Sequence, residues 1–457
     1  MEQRSVQTSE YDPLKRLLLI FWYITIASAP FGSNLLRVEL PVMGHIFLFR
    51  GAILFSCLIY LLMLLRRREN PFRDLSRIEF CFVGTAACML TYGVTSAAWS
   101  LDLRAWFSKL FTMCQMFVLV FLFLKLCRDR IVMRTTLLLL GVSCLICCLG
   151  GLAECISCRH FFDTPYDKYA YVFFGKPMYA PIFTLYNPNG FTEYLLFALE
   201  ILYLYMAVCW EDIEAKWGKR IFYALSAGMM LMLFLCCAAG GRLSILSLPL
   251  ILGGLAVWLD IRYKRGLVIF IALVLCLAFI YVGEAGSGTL QTIPESITGN
   301  YENASLQQSD GTRVTLLKNS WEMLLESKGL GIGLGNAEIR MREFGNTGGI
   351  LAVHCFIMEV LLEFGIFALI PLFVLVFMII RVLCVRLYKA AKAHSREPVS
   401  NILFLLFTIM AYPFLSTASS SSWGITSMWL YIAMVLLYSG QVERQTVLSG
   451  GGERRAT

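Results

Sequence analysis

Three basic side chains have the types and positions that phosphate and proton chemistry would need. They are Arg242 in "GGRLSIL", Arg313 in "TRVTLLKNSW" and His354 in "VHCFIMEV". A guanidinium binds two phosphate oxygens at once, so two arginines suit a diphosphate. Histidine titrates near neutral pH and can accept a proton from a hydroxyl. Each residue also has a purely structural interpretation. Arg242 could extend to the lipid headgroups, Arg313 could be a solvated loop charge, and His354 could be an interface histidine.

Two acidic residues, Glu359 and Glu363, follow His354 inside a long apolar run. On one continuous helix they would lie about 140° and about 180° around the axis from His354. The two carboxylates would therefore share a face with each other but not with the histidine. We expect them to face other helices through hydrogen bonds, and Glu359 is kept as a candidate for substrate binding because acids inside a membrane are often functional.

The glycine-rich stretch "GLGIGLGN" (329–336) resembles a phosphate-binding loop only superficially. It lacks the Lys-Ser/Thr pair of such a loop, and it follows a predicted helix instead of a strand. The structural interpretation is a tight turn in which backbone passes close to its neighbours. Five polar or flexible residues of this turn and of the earlier "YNPNG" are nevertheless candidates for substrate binding: Asn187, Asn189, Gly333, Gly335 and Asn336.

The chain has 16 cysteines and four histidines, and most of the cysteines fall in apolar runs. Cys155 and Cys158, with His160 close by, form one cluster at a predicted membrane edge. A second ligand pair is missing, so a metal site there is not expected. The sequence also has no Asp-x-Asp of the kind that holds a divalent ion on a sugar nucleotide. We therefore predict chemistry without metal or cofactor.

The composition is that of a multi-pass membrane protein. Of 457 residues 58% are hydrophobic, and the mean hydropathy is +0.69. A helix needs about 20 apolar residues to cross the hydrocarbon layer. Twelve runs meet this requirement: 17–36, 42–65, 78–99, 105–126, 135–153, 189–210, 221–239, 243–259, 266–283, 351–380, 401–417 and 425–440.

The basic residues predict the orientation of these spans. With the N-terminus inside, the predicted cytoplasmic segments hold 26 of the 39 Lys and Arg residues, as the positive-inside rule requires. The net charge of +8 is thus explained by topology and needs no nucleic-acid partner. Every second loop is basic, which fits an even number of spans.

The predicted fold is all-α, with about twelve transmembrane helices. Residues 1–283 would form a bundle of about nine spans, 284–350 a large outer loop, and 351–457 a second bundle of about three. Long ordered loops commonly carry function. Within the outer loop, apolar residues recur at helical spacing and predict one amphipathic helix on the outer membrane face: Val314, Leu317, Trp321, Leu324 and Leu325.

Four motifs in this order resemble the O-antigen ligase and polysaccharide polymerase superfamily of bacterial membrane glycosyltransferases. They are "YNPNGFTEYLL", "GGRLSIL", "TRVTLLKNSWEMLLESKGLGIGLGN" and "HCFIMEVLLEFGIFAL", and they cover residues 186–369. The arginines of the family fall on Arg242 and Arg313, and its histidine falls on His354. The sequence departs from the family pattern in two places, with Gly241 before Arg242 where serine is common and Cys355 after His354 where asparagine is usual.

The resemblance implies a metal-independent glycosyltransferase of the bacterial cytoplasmic membrane, with its site on the outer face. The donor would be a glycan on undecaprenyl diphosphate, and the acceptor a hydroxyl of another glycan or lipid. The arginines would stabilise the leaving diphosphate, and the histidine would take the acceptor proton. The family includes polymerases of capsular and teichuronic-type polymers, so polymerase and ligase both stay open. The alternative is a transporter or flippase of lipid-linked glycan, although the candidate charges cluster at one face.

Overall fold

The computed structural model describes most of the chain, and the observations below concern its described residues. These are 12–34, 38–40, 44–162, 170–173, 176–185, 188–217, 228, 231–232, 234–236, 247–264, 304–416 and 422–453.

The described residues are mostly helical, as predicted. The principal helices are α1 (Pro13–Ser28), α2 (Leu48–Arg67), α3 (Arg77–Thr95), α4 (Leu103–Leu126), α5 (Arg130–Ser157), α6 (Pro188–Trp217), α7 (Leu248–Tyr263), α8 (Ala304–Glu326), α9 (Ala337–Phe344), α10 (Phe356–Phe364), α11 (Ile366–Lys392), α12 (Arg396–Leu415) and α13 (Thr426–Glu453). Short 3-10 turns follow α1 and α3 and precede α13.

Seven helical segments in the described part of the chain are long and apolar enough to cross a membrane. They are Pro13–Gly32, Leu48–Arg67, Arg77–Trp99, Leu103–Leu126, Arg130–Ser157, Ile366–Lys392 and Arg396–Leu415. The chain is therefore a multi-pass membrane protein, as predicted. Three further predicted spans, 189–210, 243–259 and 425–440, overlap α6, α7 and α13. The predicted span 266–283 lies outside the described residues, as does most of 221–239, so the total of twelve stays a prediction.

Short polar side chains determine where several of these helices begin. Asp12, Ser76, Asp102 and Asp129 each stand at the N-cap position and accept a backbone N–H from the first turn of the helix that follows. At Ser76 the arrangement is reciprocal, because Glu79 reaches back to the Ser76 backbone N–H at 2.6 Å. These caps satisfy donors that a helix start otherwise leaves open.

Two small hairpins were not predicted. Strands β1 (Val38–Leu40) and β2 (Gly44–Ile46) pair antiparallel, and so do β3 (Ala170–Phe173) and β4 (Lys176–Tyr179). The first hairpin makes the predicted span 42–65 too long at its start, since α2 begins only at Leu48. Hydropathy does not distinguish a short extended segment from the first turns of a helix.

Helices α8, α9 and α10, with the segments between them, form a small unit on the bundle. We call residues 304–364 the cap. The cap has its own apolar core, which includes Leu316, Met323, Met341, Val353 and Leu362. Local hydropathy could not predict this core, because its members lie on three helices and one irregular segment.

The predicted span 351–380 is wrong in its boundary, because it consists of two helices. Gly365 separates α10 from α11 with φ of 66° and ψ of −162°. The N–H of Ile366 then donates to the Gly329 carbonyl at 3.0 Å instead of continuing α10. The earlier segment 351–355 is not helical, so His354 precedes the helix that carries Glu359 and Glu363.

Large aromatic side chains hold α10 against the bundle. The ring of Phe356 lies 5.6 Å from that of Trp423 and 6.2 Å from that of Trp429. Phe364, at the other end of α10, lies 5.9 Å from Trp423. Both ends of this nine-residue helix are thereby packed against the start of α13 and the turn before it.

Candidate functional site

The glycine turn, residues 329–336, lies along the C-terminal end of α10. The N–H of Ile332 donates to the Leu362 carbonyl at 2.8 Å, and that of Gly333 donates to the Glu363 carbonyl at 3.1 Å. The last carbonyls of a helix have no partner within the helix. The turn therefore caps α10 with its own backbone, which requires close approach of two chain segments.

The same turn also contacts the end of α3 and the 3-10 turn after it. The hydroxyl of Tyr92 donates to the Leu330 carbonyl at 2.7 Å, and the Leu334 N–H donates to the Ser96 hydroxyl at 3.2 Å. Gly333 has φ of 96°, and a Cβ there would lie 2.5 Å from the indole nitrogen of Trp99. Glycine is needed at this position for both its backbone angle and its lack of a side chain.

Asn336 is 2% exposed and points into this contact. Its amide nitrogen donates to the Ile332 carbonyl at 2.8 Å and to the Trp99 carbonyl at 3.3 Å, and its oxygen accepts from the Leu101 N–H at 2.9 Å. The geometry assigns Asn336 a fastening role between the cap and the bundle. Its predicted role in substrate binding, like that of Gly333 and Gly335, stays a prediction.

A buried cation meets both acids of α10. The ammonium of Lys109, on α4, lies 2.9 Å from Glu359 Oε1 and 2.6 Å from Glu363 Oε1. The Gly335 N–H approaches the same Glu363 oxygen at 3.3 Å. The exposed fractions are 16%, 8% and 0% for the side chains of Lys109, Glu359 and Glu363. We call these three residues the lysine triad.

Sequence reasoning placed the two carboxylates on a shared face but missed their partner. Lys109 is separated from Glu363 by 254 positions, so no local pattern connects them. One signal was available, since a lysine within the apolar run "WFSKLFTMCQMF" is as costly as an acid in "MEVLLEF". Two such opposite charges at comparable depth are candidates for each other.

His354 has a left-handed backbone, with φ of 54°. This region costs an L-residue roughly 1–2 kcal/mol and is maintained only where the surroundings fix it. Val353 on one side is buried in the cap core, and Phe356 on the other side is buried in the aromatic group described above. His354 as a whole residue is partly exposed. Such strained positions concentrate at functional sites.

Arg313 lies on the same cap as His354. It is partly exposed on α8, one turn before the buried Leu316. Further along this helix, the amide of Asn319 donates to Asn346 Oδ1 at 2.8 Å and fixes α8 to the segment after α9. The structure thus brings Arg313 and His354 onto one unit.

Three predicted residues, Asn187, Asn189 and Arg242, are not part of the cap segment 304–364. Asn189 is partly exposed in the first turn of α6. Asn187 and Arg242 lie outside the described residues.

Comparison with known proteins finds a family match that includes the whole cap. Residues 227–373 match the family model described as O-antigen ligase. The chain is also 25% identical over 273 residues to the teichuronic acid biosynthesis protein TuaE of Bacillus subtilis (strain 168), which covers 56% of this chain and 51% of that relative. The chain is therefore similar to the O-antigen ligase family over residues 227–373. It spans about half the length of this curated relative.

The segment that matches the O-antigen ligase family contains most of the candidate site. Arg242, Arg313 and His354 all lie within residues 227–373, as do the two glutamates of the lysine triad. Lys109 lies before the matched segment. The cation that pairs with the family segment's acids is therefore supplied by a part of the chain that the family model does not cover.

The cysteine cluster near residue 155 is organised around an acid that sequence analysis passed over. Glu154, fully buried at the end of α5, accepts backbone N–H groups from Phe161 at 3.1 Å, Ile182 at 2.9 Å and Phe183 at 2.7 Å. Cys155 and Cys158 form no disulfide. Within the described part of the chain, no group of three or more His, Cys, Asp or Glu side chains could hold a metal ion. The evident role of this region is to fasten the loop after α5.

Proposed function

We propose that the protein is a membrane glycosyltransferase of the bacterial cytoplasmic membrane. It moves a glycan from an undecaprenyl-diphosphate carrier to a hydroxyl of an acceptor glycan or lipid, on the extracytoplasmic face. The observation that carries this proposal is the cap. A guanidinium and a strained, partly exposed histidine lie on one small unit within the segment that matches the family.

The proposed chemistry assigns one role to each charged group. As the anomeric bond breaks, negative charge grows on the leaving diphosphate, and Arg313 with Arg242 stabilises it. One preorganised donor of this kind contributes about 3 kcal/mol, on the order of 100-fold in rate. His354 accepts the proton of the attacking hydroxyl and needs no metal to do so. Asn187 and Asn189 are proposed to bind the glycan.

The outer surface of α8 supports a location of the cap at the lipid surface. Four of the five apolar residues used to predict this helix are 39–62% exposed: Val314, Leu317, Trp321 and Leu325. Only Leu324 of that set is buried, and the buried face consists of Leu316, Ser320 and Met323 instead. A helix with one packed face and one exposed apolar face with a tryptophan suits an interfacial position. A lipid-borne donor would reach such a cap without leaving the bilayer.

The test uses purified protein, lipid-linked glycan and an acceptor. We expect His354→Ala to slow transfer roughly 100- to 10,000-fold and Arg313→Lys or Arg242→Lys to slow it at least about tenfold, because lysine loses the planar fork. His394→Ala is a matched control, since His394 has the same left-handed backbone, with φ of 53°, in the turn just after α11. Full activity of the His354 variant would remove this residue from the mechanism.

A second control tests the arginines and the metal. Arg340 lies on the cap and forms an exposed ion pair with Glu326 at 2.6 Å, so Arg340→Lys should leave transfer unchanged. EDTA should also leave it unchanged. Loss of activity in EDTA that a divalent ion restores would contradict the metal-independent mechanism.

The choice between polymerase and ligase needs a genetic experiment. Deletion of a polymerase leaves single repeat units on the carrier, whereas deletion of a ligase leaves long chains on it. A flippase, the alternative function, would instead move lipid-linked glycan across vesicles without forming a glycosidic bond. Transport without transfer by the purified protein would overturn the proposed function.

A further inference from the structure

We propose that Lys109 is a positioning residue that locks α10, and with it His354, onto the membrane bundle. Its catalytic consequence rests on the function proposed above. The lock itself is a statement about structure and can be tested without any glycan.

The lysine triad joins three separate elements at one point. Lys109 comes from α4, the two glutamates come from α10, and Gly335 of the glycine turn donates to the same Glu363 oxygen that meets Lys109. One ammonium therefore fixes a bundle helix, the cap helix and the turn relative to one another. Neither carboxylate could be held in this buried position without a nearby positive charge or a bound proton.

The position of α10 is transmitted to His354 over a short distance. The N–H of Glu359 donates to the Cys355 carbonyl at 2.8 Å, as part of the first turn of α10. The residue whose carboxylate Lys109 holds is thus hydrogen-bonded, through its backbone N–H, to the residue next to His354. Any shift of α10 along α4 must move the histidine backbone, because Val353 and Phe356 allow little independent adjustment.

Aromatic packing alone resists sliding of α10 along α4 less strongly than the lysine triad does. The rings of Phe356 and Phe364 face Trp423 at 5.6 and 5.9 Å, and stacked or edge contacts tolerate small sliding movements. An ammonium between two carboxylates has one favourable position, since movement either way lengthens one of the two contacts. We infer that the aromatic group supplies burial and the lysine triad supplies the register.

The decisive variant is Lys109→Met, which keeps most of the length of the side chain and removes its charge. We expect the kcat of transfer to fall roughly 100-fold, the effect of misplacing a catalytic group by about 1 Å. The KM for the lipid-linked donor should stay within about threefold, since the diphosphate ligands are unchanged. Lys125→Met is the matched control, on the same helix α4 with a 3.8 Å contact to the exposed Asp74, and should leave both constants unchanged.

A second measurement uses the native thiol of Cys355, which is half-buried beside His354. Its alkylation rate, followed by mass spectrometry of the peptide that contains it, reports the freedom of this segment. Lys109→Met should raise that rate roughly tenfold through local opening, and Lys125→Met should not change it. An unchanged rate in a well-folded Lys109→Met protein would overturn the lock.

Two further variants separate positioning from the cost of an unpaired charge. Lys109→Arg keeps a cation between the acids and should recover most of the lost kcat. The combination of Lys109→Met, Glu359→Gln and Glu363→Gln is neutral throughout and should fold even where Lys109→Met does not. We expect it to keep the low kcat and the fast Cys355 labelling, and full recovery of both would overturn the proposal.

The two proposals can fail separately. If the wild-type protein transfers no glycan, the failure belongs to the proposed function, and Cys355 labelling alone then decides the lock. Faster labelling in Lys109→Met would support it, and equal labelling would overturn it.

Discussion

A substitution at Asn336 tests whether this residue of the glycine turn fastens the cap to the bundle or binds substrate. In Asn336→Asp the side chain keeps its shape and its acceptor, so the Leu101 N–H at 2.9 Å retains a partner. The two donated hydrogen bonds, to the Ile332 and Trp99 carbonyls at 2.8 and 3.3 Å, are lost and replaced by an oxygen that repels them.

The magnitude follows from those two carbonyls. A buried acceptor left without a donor costs roughly 1–3 kcal/mol, and because these two hydrogen bonds are partly buried, their loss should cost about 2–3 kcal/mol together. A cost near 3 kcal/mol corresponds to roughly 100-fold more frequent opening of the contact. Amide hydrogen exchange of the peptide over residues 329–340 measures this opening directly.

Asn70→Asp is the matched control. Asn70 lies in an exposed loop, and its side-chain oxygen accepts from the Phe72 N–H at 2.8 Å, which a carboxylate accepts equally well. We expect no change in exchange for this variant. If Asn336→Asp leaves exchange unchanged and instead raises the KM for the lipid-linked donor, Asn336 is a substrate ligand and the fastening role is wrong.

Two further substitutions test other parts of the structure by thermal unfolding in detergent. Gly335→Ala should destabilise the protein by roughly 1–3 kcal/mol more than Gly329→Ala. The two glycines have similar backbone angles, with φ of 78° and 76°, but of the two only a Cβ at Gly335 would meet backbone, at 2.9 Å. Equal melting temperatures of the two variants would contradict this clash. Glu79→Ala should lower the stability of the protein by about 3–5 kcal/mol, since the fully buried carboxylate pairs with Arg128 at 2.6 Å and Arg444 at 3.2 Å. An unchanged melting temperature would show that these arginines find other partners.

The membrane class and the approximate position of several spans could be predicted from local sequence. Burial of backbone in lipid requires long apolar helices, and a helix such as α4 shows this in its own residues, 105–126 against the observed Leu103–Leu126. Start signals such as Asp102 and Asp129 are likewise local. Arg313 and His354 could also be identified as candidate site residues without a structure, because they lie in motifs that resemble those of a known family.

Local pattern could not show which way a helical face points. The spacing of Val314, Leu317 and Trp321 predicted a shared apolar face, and these side chains are 39–52% exposed, whereas Leu324 of the same predicted set is buried. Periodicity identifies which residues share a side of a helix, and it does not contain the position of the neighbouring helices. Hydropathy also could not predict the end of α10 at Gly365, because the apolar run continues through this residue while the helical backbone conformation does not.

The sequence by itself determined the class of protein, the helices that local hydropathy requires, and a small set of charged residues worth testing. Only the tertiary structure decided what those charges meet. It shows that Glu359 and Glu363 form ion pairs with Lys109, and that the glycine turn forms backbone hydrogen bonds that connect α10 to the bundle. The physical reason is distance along the chain, because the ion pair between Lys109 and Glu363 is selected by packing of whole helices, and the charge in each segment does not identify its partner.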